Sequence, residues 1–256
     1  MNFKSIIKNK IPPRWFPNIL RIYFGFRSVF YGGNKVQCPC CERSYRNFVD
    51  FGDPREIAVA CPGCGSFSRQ RLLTLILKSK FLTSNRILSV LHIAPELCIS
   101  DFLKRQAQVK YKSIDLQSPQ AEERMDLTDL HLSEGQFDLV ICFHVLEHIV
   151  EDQKAMSEIC RVLKKGGAAL IQVPQNKSLV RSFEDPNIST PELRKKHFGQ
   201  EDHVRIYGQD FKSRLESAGL DVSLLATKDI CDREMIHRQN LLEDETIHLC
   251  IKAREV

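Results

Sequence analysis

The sequence predicts an α/β fold, a mostly parallel sheet with a small cysteine-rich module ahead of it. Phe137-Asp-Leu-Val-Ile-Cys-Phe143 is a short apolar strand that stops in a polar cluster, His144, Glu147 and His148. From Glu151 to Leu163, apolar residues at Ala155, Ile159, Val162 and Leu163 recur at helical spacing. Gly166-Gly167 then reads as a helix stop, followed by another buried strand up to Pro174. Strand, helix, strand in succession gives parallel neighbours in one sheet. Ligands of such sheets bind beyond the carboxyl ends of the strands, where His144, Glu147 and His148 fall.

The module is equally visible. Cys38-Pro-Cys-Cys41 and Cys61-Pro-Gly-Cys64 are two C-x2-C pairs with 19 residues between them. That spacing suits a four-cysteine zinc site. Each tight turn brings two sulfurs to one metal, and two turns close a tetrahedron. Cys38, Cys41, Cys61 and Cys64 are the predicted ligands of a structural Zn2+ in a ribbon over residues 36–70. Cys40 is less well spaced than Cys41. Gly63 and Gly65 give the second turn its backbone freedom. Four thiolates leave no coordination position for water, so the predicted zinc holds a short segment and does no chemistry. Arg69 and Arg71 read as a solvated helix face, with contact to an anionic ligand as the other reading.

Composition sets the frame. The 256 residues suffice for one large α/β domain and a small module, and 43% hydrophobic content supports a core. No apolar run reaches the roughly 18 residues of a membrane span. The first residues lack a signal-peptide apolar region, so a cytoplasmic location is expected. Ten cysteines there suggest reduced thiols or metal ligands. Net charge is +5, and residues 1–35 alone hold seven Lys or Arg and no acid. That arm also carries Trp15, Phe16, Tyr23, Phe24, Phe26, Phe30 and Tyr31. It packs its aromatics on the domain, attaches to an anionic membrane surface at the inner face, or, third, contacts nucleic acid.

After the module, Leu72 to Leu77 reads as a helix leading into the main domain, residues 71–256. Ile87-Leu-Ser-Val-Leu-His-Ile93 is the first buried strand, Ala94-Pro95-Glu96 its turn, and Leu97 to Lys104 the next helix. Val109 to Asp115 alternates apolar and polar residues and ends in an acid about 20 residues after that turn. A nucleotide-binding α/β fold places a ribose-binding carboxylate there. A helix from about Gln209 to Ala218 and strands at Val222 to Ala226 and Ile247 to Lys252 close the chain. No G-x-G-x-x-G is present, and no G-x-x-x-x-G-K-[ST].

Over about residues 86–254 the chain resembles the class I S-adenosylmethionine-dependent methyltransferases. The matching parts are the Leu-His-Ile-Ala-Pro-Glu turn, Ser113-Ile-Asp-Leu116, Met125-Asp-Leu-Thr128, Phe137 to His148 and Leu163-Lys-Lys-Gly-Gly-Ala168. The resemblance implies a Rossmann-like, seven-stranded, mostly parallel sheet with a late antiparallel edge. It implies that Asp115, with Leu116, binds the cofactor ribose. Asp126 and Leu127 would flank the adenine, and Phe143 and His144 line the methionine side. The family usually has an acid and glycines at its first turn. Here His92, Ala94 and Glu96 occupy those cofactor-binding positions, and Glu96 takes over the contact to the ammonium group. The Ala-Pro-Glu turn and the cysteine pairs resemble a bacterial subgroup, as does Phe198-Gly-Gln-x-Asp-His-Val-Arg-x-Tyr-Gly208.

That last segment lies in a polar insertion, residues 175–207, expected to cover the site. Its His203 is the first candidate general base, with His148 and His144 behind it. Arg205 and Tyr207 are candidate acceptor contacts; the competing reading is that His203 and Arg205 only hold the loop closed. His144, Glu147 and His148 also form a candidate divalent-ion cluster. The function expected is methyl transfer to an oxygen or nitrogen of a small molecule or glycan precursor. An RNA methyltransferase is the rival, and a non-catalytic binding module on the same fold is the alternative from another class.

Overall fold

The computed structural model describes residues 15–51 and 58–253. Most of the basic arm's charge, residues 1–14, lies outside them. Helix α1, Phe16–Phe30, opens with Pro17 in its first turn, where the missing N–H costs nothing. Arg27 donates from Nε to the Pro62 carbonyl at 3.1 Å and from Nη2 to that of Cys61 at 2.9 Å. Arg21 pairs with Asp101 at 2.6 Å. The helix is therefore strapped across the module.

The module pairs β1, Gly32–Gln37, with β2, Ser44–Tyr45, and β3, Val49–Phe51, with β4, Ala58–Ala60, both antiparallel. Helix α2, Ser68–Ile76, follows, and Leu77–Phe81 widens into a π turn. Arg71 is not on a solvated face: it is 1% exposed. It donates to the carbonyls of Ser66 at 2.5 Å and Asn240 at 2.6 Å. A buried guanidinium needs such partners, and they tie the module to the end of the chain.

The main sheet contains β5, Leu88–Ile93; β6, Val109–Asp115; β7, Glu123–Arg124; β8, Phe137–Phe143; β9, Leu163–Gln172; β12, Leu220–Ala226; and β13, Thr246–Lys252. Their order is β12-β13-β9-β8-β5-β6-β7. The pairs from β9 to β7 are parallel, and β13 runs antiparallel to both neighbours. The seven-stranded sheet and its antiparallel edge are as expected. Helices α3, Leu97–Lys104, and α4, Asp152–Val162, make crossovers. In the insertion, β10, Phe183–Glu184, pairs with β11, Arg205–Ile206, around α5, Pro191–Phe198. Helix α6, Phe211–Ser217, precedes β12, and α7, Thr227–Ile230, and α8, Arg233–Gln239, precede β13.

One boundary differs from the sequence reading. Leu163 is already extended and pairs with Phe137, so the helix stops at Val162. Gly166 and Gly167 lie inside β9, where the register with β8 shifts. Gly166 takes φ +74° there, a conformation that suits glycine.

Strand alternation sorts the core. Val90, Leu139, Ile141 and Leu170 join one cluster that runs on through Leu72, Leu73, Ile76, Tyr45 and Cys61. Leu91, Val140, Ala169 and Ile171 join another with Ile159, Phe211 and Leu215. The cysteine module thus shares its core with one face of the sheet.

Candidate active site and metal centre

Both cysteine turns close in the same way. The Glu42 N–H donates to the Cys38 carbonyl at 2.8 Å, and the Gly65 N–H to that of Cys61 at 2.9 Å. The closing residues take φ +61° at Glu42 and +72° at Gly65. A Cβ on Gly65 would also meet the Phe24 ring at 2.4 Å. These turns face each other, with sulfurs 3.6 Å apart for Cys38 and Cys64 and 3.7 Å for Cys41 and Cys61. A zinc tetrahedron with Zn–S bonds of about 2.3 Å has edges of about 3.8 Å, so the four sulfurs fit the ion. Cys40 turns away, its sulfur 3.1 Å from the Thr74 hydroxyl. Arg71 lies among the surrounding charges, and the cysteine sulfurs partly oppose the loss of proton affinity that burial imposes on it.

The other candidate residues lie at the carboxyl ends of β5, β6 and β8 and in the segment after β7. Ala94 takes φ +48°, so this turn keeps a glycine-like bend with a small side chain. Glu96 opens α3, accepting at Oε1 from Gln70 and, at 3.4 Å, from Arg69. Its Oε2 is buried without a partner. Asp115 ends β6, and its Oδ1 accepts from the amides of Gln117 and Ser118, each at 2.6 Å. Leu116 is exposed beside it. Asp126 accepts from the Thr128 amide and hydroxyl, both at 2.8 Å, and these bonds hold its carboxyl below the usual range. Leu127 and Phe143 are buried. His144 follows β8 at φ +53°.

His92 is placed differently from its expected role. It is 1% exposed, with Nδ1 3.1 Å from the Tyr111 hydroxyl, leaving no surface for a ligand. Burial pushes its pKa down to about 3.

Two clefts of about 250 and 290 Å³ lie at this end. They share Phe67 and Arg69; the first opens on His144, the second on Glu96. The cysteine module therefore forms their common wall. Asn240, Leu242 and Glu245 complete the first. The insertion packs on the turn Leu146–His148 after β8.

Arg205 and Tyr207 explain that packing and are not acceptor contacts. Arg205 is 2% exposed and donates to the Ile149 carbonyl, to those of Leu146 at 3.1 Å and Val150 at 2.9 Å, and to Glu184 at 2.9 Å. The Tyr207 hydroxyl donates to Asp152 at 2.8 Å. Arg214 pairs with the same carboxylate at 2.7 Å. Both side chains are spent on holding the insertion down. His203 is buried, and desolvation lowers its proton affinity.

Residues 96–171 match a protein family described as methyltransferase domain. That stretch of the chain is similar to a methyltransferase domain. No curated protein matches it in sequence. Among solved structures, a candidate sarcosine dimethylglycine methyltransferase from Galdieria sulphuraria is similar at 11% identity. The match covers 73% of this chain and 87% of that one, with a TM-score of 0.50, and shows the fold. The Burkholderia thailandensis 1,6-didemethyltoxoflavin-N1-methyltransferase aligns at 13% identity over 73% and 78% of the two chains, with a TM-score of 0.48. A Mesorhizobium loti S-adenosylmethionine-dependent methyltransferase aligns at 15% over 72% and 98%, also at 0.48. The matched stretch of the methyltransferase domain runs from Glu96 through β9, and so contains the ends of β6 and β8.

Proposed function

We propose that the chain is an S-adenosylmethionine-dependent methyltransferase that modifies an oxygen or nitrogen of a small molecule or glycan precursor. The observation that carries this is the orphaned Glu96 Oε2 within the matched domain, beside the glycine-like bend at Ala94. A buried carboxylate oxygen without a donor fits the cofactor's ammonium group. Asp115 and Leu116 hold the ribose, Asp126 and Leu127 the adenine, and Phe143 and His144 the methionine side. Bound there, S-adenosylmethionine supplies an electrophilic methyl on a sulfonium. An acceptor oxygen or nitrogen held in the cleft would take that methyl. Its O–H or N–H proton passes to a base. His144 is the best-placed base, since it lines a cleft, with most of the rate coming from positioning.

The Zn2+ site is structural in this reading, and the ribbon with the Ala-Pro-Glu turn supports membership of the bacterial subgroup that the chain resembles. Incubation with methyl-labelled cofactor and fractionated cell extract tests the acceptor. Label in small molecules or glycan precursors supports the proposal; label confined to RNA replaces it with the rival.

We also propose that the arm attaches to an anionic membrane surface. On α1 and its N-cap, Trp15, Ile22, Phe26, Val29 and Phe30 are exposed along one face, Val29 by 77%. The seven cations of residues 1–35 favour anionic headgroups. No helix among the described residues is long and apolar enough to cross a membrane. Phe26→Glu with Val29→Glu should abolish pelleting with anionic vesicles; unchanged pelleting refutes the attachment.

A further inference from the structure

The turn Leu146–His148 is fixed from the insertion: the Val204 N–H donates to the Glu147 carbonyl at 2.9 Å. That bond sets His203 beside the turn. Its ring meets His148 edge-on, centroids 4.8 Å apart at 79°. Glu147 is 1% exposed, and neither carboxylate oxygen has a hydrogen-bond partner. His144 Nδ1 stands 3.3 Å from Oε1, without hydrogen-bonding geometry. A carboxylate taken out of water in this way is expensive unless a cation meets it. One ligand atom each from Glu147, His148 and His203 lie within 4.8 Å of one another.

We propose that Glu147, His148 and His203 bind a divalent first-row transition ion just beyond β8. Two imidazoles and one carboxylate are a donor set that holds such ions with coordination positions left open. Ligand bonds of about 2.1 Å place donors roughly 3.0–3.4 Å apart. From separations within 4.8 Å the set has at most about 1.4–1.8 Å to close, and His148, one-third exposed, is the ring with room to move. Its Nδ1 lies 3.3 Å from the Asp202 carbonyl oxygen and 3.4 Å from the Asp202 carboxylate. Such an outer contact orients a metal-binding imidazole. The cluster combines the first candidate base, His203, with two members of the cluster that the sequence suggested, one of them, His148, also a candidate base. His144 stays outside it, on the cleft.

The ion also narrows the acceptor. An open position takes an oxygen donor and lowers the proton affinity of a bound hydroxyl, so the acceptor class is a hydroxyl compound. This last step rests on the methyltransferase reading; the ion site does not.

The test uses the full chain with zinc in the four-cysteine site, titrated with Co2+ in the absence of S-adenosylmethionine. The expected result is one further Co2+ per chain, with visible absorption but no thiolate charge-transfer band. Glu147→Gln and His148→Asn should each weaken that binding at least tenfold while zinc content and Tm hold. If Glu147→Gln fails to fold, His148→Asn decides, since its ring is partly exposed. No Co2+ uptake, or uptake unchanged in the folded variants, overturns the site. Failure to bind S-adenosylmethionine leaves this titration readable, so the two readings fail separately.

Discussion

Acidification should destabilise this fold through two buried histidines. His92 is sealed in β5 with its pKa pushed down to about 3 by burial, and His248 in β13 with its pKa down to about 4. Both are bases held neutral in the fold, while the unfolded chain binds their protons near pH 6.5. Their contribution is intact above pH 6.5 and is lost as pH falls toward those folded values. At pH 5 the gap to 6.5 is about 1.5 units, which at about 1.36 kcal/mol per unit makes roughly 2 kcal/mol for each. Two such losses are a large share of a typical stability of about 5–15 kcal/mol. Urea unfolding of the wild type and His92→Asn, each at pH 7.5 and 5.0, isolates one of them. Subtracting the variant cancels acid effects on the cysteine site. The variant should be weaker at pH 7.5 yet lose about 2 kcal/mol less on acidification. Equal pH losses in the two proteins would show that His92 carries none of the acid sensitivity.

Arg205→Ala should cost about 3–5 kcal/mol, because it strips a buried cation from the acceptors that pin the insertion. An unchanged urea midpoint with lost turnover would restore its role at the acceptor. Cys61→Ser should lose the zinc and weaken S-adenosylmethionine binding more than tenfold, since Phe67 and Arg69 wall both clefts. Full cofactor affinity in a zinc-free, folded variant would detach the module from the site. His144→Ala should lower turnover at least a hundredfold and weaken cofactor binding far less; a loss of affinity that accounts for the whole loss of turnover would leave the residue with the pocket wall alone.

The local patterns carried a long way. The apolar run of β8, the periodicity of α4 and the acid at the end of β6 all follow from short-range rules, and the sheet assembles them as expected. The two cysteine pairs were legible because metal geometry constrains spacing within a single turn. What failed was information that only tertiary packing supplies. Arg71 looks like a surface charge until the Ser66 and Asn240 carbonyls converge on it; its place just before a run of leucines was the available signal. Gly166-Gly167 looked like a helix stop because the register shift against β8 leaves no mark in periodicity. Arg205 and Tyr207 have the chemistry of ligand contacts, and their burial is set by Asp152 and the carbonyls after β8, far away in sequence. The wall formed by Phe67 and Arg69 had no sequence signal, since it depends on the module docking against the sheet.

The most direct test is calorimetric titration of the zinc-loaded protein with S-adenosylmethionine and, separately, S-adenosylhomocysteine. Saturable binding of both is expected, about one per chain, weakened at least tenfold in Asp115→Ala. Folded, zinc-loaded protein that binds neither would contradict the methyltransferase reading and leave the methyltransferase domain as an interaction module.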